Sequence, residues 1–252
     1  MLFRNQDTGA LAISQPMHAW ISGQLMRAWS ERLGEPLILA AEQHDIAWLD
    51  WEATPTFNPE TGRPHLFRHI GAATHAPMWA RGVERALHAW GTHVALLISM
   101  HGGLIYRRFM DRRRMAEKDA TAADNYLATQ GPLEAAWTER LGLDAGAVKN
   151  ESALVAFSDA LSLALCGELK VPMTLQAPGR NGDLVSIELA ERPGRPFEFV
   201  LSPWPFSVET LTVEGEARPL PPEGRFPNEA AMGSWLKSPE RVTFQAQLFP
   251  DR

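Results

Sequence analysis

Apolar positions recur at helical spacing through the first two thirds of the chain and change to alternation beyond Cys166. His18, Ile21, Ser22, Leu25, Met26 and Trp29 share one face, which predicts a helix capped by Ser14 with Pro16 in its first turn. Leu37, Ala41, His44 and Trp48 form the stripe of a second helix from Pro36 to Trp51. Pro55, Pro59, Gly62 and Pro64 then impose loop chemistry from Glu52 to Arg68. A third helix is predicted from Thr74 or His75 to Trp90. A fourth, capped by Thr92, carries VALLISMH and ends at Gly102-Gly103. A charged stretch leads into a helical hairpin region broken at Gly131-Pro132. The last helix is SALVAFSDALSLALC, with Asn150 as its cap and Glu151 in its positive first turn.

Strands are predicted at 184–190, 196–202, 208–214 and 242–249. In the last of them Val242, Phe244, Ala246 and Leu248 face one side, Thr243, Gln245 and Gln247 the other. The pattern implies an α+β protein: a helical bundle followed by a small antiparallel β-sheet packed on it. The division falls at residues 1–168 for the helical part and 169–252 for the β region, with no low-complexity linker between them.

A net charge of -6 argues against a general nucleic-acid binder. Cys166 is the one cysteine, so no intramolecular disulfide can form. The first residues lack a basic start followed by a continuous apolar stretch, and no apolar run is long enough to span a membrane. A cytoplasmic protein without a membrane partner is expected.

The candidate chemistry lies in the polar residues that break the apolar pattern. All eight histidines fall between His18 and His101. His18 points inward with Ile21 and Leu25, where a histidine is more often a satisfied core residue than a ligand. Asp159 is the only ionisable residue between Ser152 and Leu165. An unpaired carboxylate there would cost several kcal/mol, about its desolvation penalty, so it must be neutral, paired with a cation or bound to metal. His44-Asp45 places a second such pair of groups on a helix, where adjacent side chains diverge by about 100° and can still line one cavity wall. Trp48, Asp50, Trp51 and Glu52 follow, as an aromatic and acidic wall or, for the tryptophans, as simple core.

An early helical histidine, a later His-Asp doublet and a distant aspartate on an apolar helix resemble the HD-domain superfamily of metal-dependent enzymes. The resemblance covers roughly residues 14–168 and implies an HD-like bundle with metal ligation by His18, His44, Asp45 and Asp159. His75 and His101 stand in the order of the two further histidines of dinuclear members, with His65 and His69 as competitors for His75. Asp45 would be the bridging, catalytic carboxylate. HDIAW lacks the glycine and lysine that many HD phosphohydrolases carry after the doublet. More narrowly, QPMHAWISGQL, HDIAWLDWEATP, TGRP, SDALSLALC and LSPWPF resemble a family of uncharacterised bacterial proteins.

The resemblance implies a cofactor of divalent transition metal, two ions, with iron foremost and manganese or zinc as alternatives. The expected activity is phosphohydrolysis of a small phosphorylated molecule. The alternatives are a mixed-valent di-iron oxygenase that cleaves a C–C or C–P bond, or a non-catalytic ligand-binding protein. An anionic small-molecule substrate would find Arg63, in the TGRP loop, as a contact. Arg107, Arg108 and Arg112 to Arg114 read first as a solvated helix face, His88 as surface, and His93 as support for a neighbouring imidazole.

Overall fold

The computed structural model describes residues 1–6, 9–179 and 183–251. The chain opens with two strands, β1 (Leu2–Gln6) and β2 (Gly9–Ile13), before the helices α1 (Gln15–Arg27), α2 (Glu35–Gln43) and α3 (Leu49–Ala53). A two-residue ribbon, β3 (Phe57–Asn58) and β4 (Arg63–Pro64), precedes α4 (Ala72–Trp90), α5 (Thr92–Arg108), α6 (Glu117–Arg140) and α7 (Ala145–Leu165). Then come β5 (Met173–Pro178), β6 (Leu184–Glu191), β7 (Glu198–Ser202), β8 (Leu211–Pro219), α8 (Glu229–Lys237) and β9 (Val242–Pro250).

The structure overturns the expected HD-like helical bundle with a small antiparallel sheet. The sheet has seven strands in the order β1-β2-β8-β9-β7-β6-β5 and curls into a half-barrel. It is mixed, because β7 and β9 run parallel while the other neighbours run antiparallel. Three strands of the sheet were not predicted: β5, just after α7, and two that lie ahead of the first helix. Each of these two is five residues long, and β2 is buried at every position after Gly9, so it shows no alternation. Its partner β8 comes from the far end of the chain, with Leu11 opposite Pro219. No local pattern carries that pairing.

Two further expected breaks are absent. α6 runs unbroken through Gly131-Pro132, and α5 continues past Gly102-Gly103 to Arg108. One apolar cluster joins Ile21 and Leu25 of α1, Leu96 and Leu97 of α5 and Val155 and Leu161 of α7 to Leu189, Leu201, Val213 and Leu248 of the sheet. Each such side chain, fully buried, contributes about 1.5–3 kcal/mol. α1 is the central helix, in contact with α2, α7 and β8.

Arg4 on β1 is an exception within this core, being only 2% exposed. Its guanidinium carbon lies 3.4 Å from the Phe197 ring centroid and 5.0 Å from that of Phe244. Nη2 donates to the Gln245 carbonyl at 2.7 Å, while Nε and Nη1 have no hydrogen-bond partner among the described residues. Burial lowers its pKa to about 10, which leaves it charged at neutral pH. The cation–π contacts are worth about 2 kcal/mol, against about 1–3 kcal/mol for each buried donor without a partner. Arg4→Met is therefore expected to match or exceed wild-type stability, by up to about 2 kcal/mol in urea unfolding. A loss of stability on that scale would show that the charge itself is required.

Candidate metal centre

Four elements bring the candidate ligands together. His18 enters on α1, whose first turn is held by Ser14 accepting from the Met17 amide at 3.2 Å. The His44-Asp45 doublet was expected inside a helix, but α2 stops at Gln43. Asp45 leaves helical geometry at φ -105, ψ 18, and a 3₁₀ turn at Ile46–Trp48 follows. The break lets Asp45 turn toward His18 while His44 stays at the helix end, so both side chains serve one site. His101 rides on α5. Asp159 rides on α7, which starts earlier than Asn150: the Asp144 side chain accepts from the Ala147 amide at 2.9 Å.

His18, His44, Asp45, His101 and Asp159 form one cluster. His18 Nε2 lies 2.7 Å from Asp45 Oδ2. His44 Nε2 is 3.3 Å from Asp159 Oδ1 and 3.9 Å from Asp45 Oδ2. His101 Nε2 is 3.8 Å from Asp159 Oδ2. His18, His44 and Asp159 each offer a ligand atom within 4.8 Å of the others, and so do His44, Asp45 and His101. His44 Nδ1 donates to the Ala41 carbonyl at 2.8 Å, which turns Nε2 inward and leaves one nitrogen to serve both groups. A second ion would therefore have to be shared through the carboxylates.

The cluster's hydrogen bonding is incomplete in a way that fits a cation. Ser162 Oγ donates to the Asp159 carbonyl at 2.8 Å, so it must accept from His18 Nδ1, also at 2.8 Å. Neutral His18 then turns its Nε2 lone pair on the Asp45 carboxylate, a contact that needs a proton or a metal ion between the two atoms. His44 Nε2 is buried with no aligned hydrogen bond, although Asp159 Oδ1 lies 3.3 Å away; His101 turns Nε2 toward Asp159 and its Nδ1 has no partner among the described residues. Donors held about 2.0–2.2 Å from a common tetrahedral ion lie about 3.3–3.6 Å apart. The separations of 3.3–3.9 Å are close to this, and the 2.7 Å contact between His18 and Asp45 would open to admit an ion. Three imidazoles and two carboxylates, with no thiolate, suit zinc, manganese or iron rather than calcium or magnesium.

Charge in the cluster is uneven. Burial opposes protonation of His44, but Asp45 and Asp159 outweigh it and raise its pKa to about 9. Burial likewise opposes ionisation of Asp159, yet His44, then His101 and His18, hold its carboxyl far below the usual range. His101 is pushed down to about 4 by burial and by the His44 charge. Without an ion, one proton on His44 balances part of the carboxylate charge.

His18, Asp45, His101 and Asp159 of the cluster line a cavity of about 250 Å³, while His44 lies fully buried behind them. The cavity walls include Trp48, Phe67, Trp79 and Leu163, and Phe109 stands 70% exposed at the mouth. Trp79 stacks on His101 with ring centroids 5.6 Å apart and planes 15° apart. His75 lies on the cavity wall but outside both groups of mutually close ligand atoms, and its Nδ1 is 2.7 Å from Tyr106 Oη. Burial lowers its pKa to about 4. Its two competitors are elsewhere: His65 Nδ1 bonds Thr56 Oγ1 at 2.9 Å, and His69 is exposed in a neighbouring cleft.

Arg63 does not line the cavity. It sits in that neighbouring cleft, where its Nε donates to the Gly224 carbonyl and its guanidinium faces Phe3. The arginine that lines the cavity is Arg68, on a 3₁₀ turn at Phe67–His69 and paired with Glu168; a turn so short leaves no periodic signal in the sequence. Gln15 was also missed; it lines the cavity with its side-chain carbonyl unpartnered. Of the expected aromatic and acidic wall only Trp48 arrives. Asp50 pairs with Arg85 on the surface, and Glu52 accepts from the Gln15 amide at 2.9 Å. His88 is exposed, and His93 pairs with Glu151 at 2.6 Å. Arg113 and Arg114, about nine-tenths exposed, pair with Asp111 rather than reach the site.

No curated protein and no solved structure matches the chain. A family model does match, over residues 1–222, a stretch that includes every residue of the cavity. The chain belongs to the family described as protein of unknown function DUF3891.

Proposed function

We propose that this protein is a metal-dependent hydrolase of a small phosphorylated molecule. The observation that carries this reading is the convergence of three histidines and two aspartates, four of which line an open cavity, with ligand atoms within 4.8 Å of one another in each of two groups. The ligand order His18, His44-Asp45, His101, Asp159 also resembles the HD superfamily's metal pattern, although the lysine that often follows the doublet is absent. A bound transition-metal cation supplies Lewis-acid polarisation of a phosphoryl oxygen and a lowered pKa for water.

The chain's own residues supply the rest. His44 and His101 are fixed by Ala41 and by Trp79 stacking, so their rings need no reordering. Asp45 lines the cavity and can take a proton from water as that water's oxygen bonds to phosphorus. The ester oxygen leaves with the bonding pair and takes up a proton. Trp48 and Trp79 limit the entry of further water.

Elemental analysis of anaerobically purified protein, with Mössbauer spectroscopy and phosphomonoester turnover, tests the reading. Manganese or zinc with turnover supports it. A mixed-valent iron pair without turnover replaces it with the oxygenase, and failure to bind any of the three metals ends both.

His44 also sets a pH dependence. Its folded pKa of about 9 lies above the unfolded value of 6.5. Its contribution to the stability of metal-free protein is thus fully present below pH 6.5 and is lost as pH rises through 9. Metal binding must displace that proton, so apparent affinity should rise about tenfold per pH unit over the same window. Titration calorimetry with manganese at pH 6.5, 7.5 and 8.5 checks this; a flat affinity would mean that His44 does not ligate.

A further inference from the structure

From the lining of the cavity we infer that its ligand is a small molecule with an apolar body and a single oxyanion head, an aryl or short alkyl monoester rather than a nucleotide or sugar phosphate. The inference rests on the hydrolase reading for the head group's destination and on separate observations for the body. Above the cluster the walls are Trp48, Phe67, Trp79, Ile105 and Leu163, with Phe109 and Met110 at the mouth. A ribose or hexose would bury its hydroxyls against these side chains without partners. Each hydroxyl so treated weakens binding severalfold or more.

Charge leads to the same class. Arg68 is the one lysine or arginine in the lining, and its guanidinium is already paired with Glu168, whose side chain is only 7% exposed. A polyphosphate would therefore meet two cluster carboxylates and no free cation beyond the ion itself. One oxyanion can be accommodated. His75 is the polar wall group nearest in kind to the task. Tyr106 Oη lies 2.7 Å from His75 Nδ1 and has no other hydrogen-bond partner among the described residues. The phenol proton goes to Nδ1, which leaves His75 Nε2–H as a donor. A volume of about 250 Å³ lies below the range for drug-sized ligands, which fits one ring or a short chain plus the head.

Isothermal titration calorimetry on the full-length protein tests the inference, with and without manganese, using phenylphosphonate, inorganic phosphate and glucose 6-phosphate as probes. Burial of the phenyl ring should make phenylphosphonate bind about a hundredfold more tightly than inorganic phosphate, with glucose 6-phosphate no better than phosphate. Phe109→Ser, at an exposed position that tolerates substitution, should reduce the phenyl advantage about threefold or more without changing manganese affinity. Equal affinity for phenylphosphonate and phosphate, or preference for the sugar phosphate, overturns the inference even if manganese binds. Preference for phenylphosphonate in a protein that binds no metal leaves the inference standing and removes the hydrolase reading instead.

Discussion

Asp159→Asn is expected to abolish the stabilisation that a divalent metal confers on this protein. Asp159 lies within 3.3–3.9 Å of nitrogens of His18, His44 and His101, so it is the carboxylate that approaches all three imidazoles. Asparagine keeps the shape and removes the charge. A metal present at a thousandfold excess over its Kd stabilises the folded state by about 4 kcal/mol. For a chain of this size that is a rise in Tm of roughly 10 °C. Thermal unfolding with and without manganese or zinc should give a shift of that order in wild type and under about 1 °C in the variant. The metal-free variant should also unfold more readily, because His44 then has only Asp45 to offset its burial. An undiminished metal-dependent shift in Asp159→Asn would remove the metal centre as described.

The polar members of the cluster were readable because each contradicts its surroundings. Asp159 is a lone charge in an apolar helix, and His18 is a titratable group on an inward face. Such contradictions are visible at the level of one helix. What brings them together is not. The doublet lies at the end of α2, in a break that the continuous stripe from Leu37 to Trp48 conceals. A helical stripe carries through a single 3₁₀ turn with little change in spacing, so periodicity cannot register it. The sheet was legible only in β6 to β9, where one face is buried and alternation follows; β5 alternates too but is only six residues long and begins and ends on a Met and a Pro. β1 and β2 are short, and β2 meets its partner β8 only through long-range pairing. Arg63, on β4, and Arg68, on the 3₁₀ turn just after it, are close in sequence, and only the fold decides that Arg63 reaches Gly224 while Arg68 lines the cavity.

Gly102 and Gly103 offer the sharpest test of the fold around the site, because the two neighbours should respond in opposite directions. Read as a helix stop, the pair would tolerate alanine equally. In the structure both lie inside α5, where Gly→Ala gains about 1 kcal/mol in helix propensity if nothing opposes it. At Gly103 the three atoms nearest a Cβ belong to the Arg107 guanidinium, at 2.7–3.2 Å, the far end of a flexible side chain. Gly103→Ala is expected to be neutral or stabilising by up to about 1 kcal/mol. At Gly102 the same carbon would lie 2.0 Å from Trp79 Cε3 and 2.6 Å from Tyr126 Oη, far inside contact distance. Trp79 is 5% exposed and Tyr126 is 4% exposed, so neither ring can withdraw without opening the core. Gly102→Ala should lose about 3 kcal/mol in urea unfolding, since overpacking outweighs propensity. It should also weaken metal binding, because a displaced Trp79 no longer stacks on His101. If Gly102→Ala proves as stable as Gly103→Ala, Trp79 does not pack across α5, and the stacking that fixes the His101 ring is wrong.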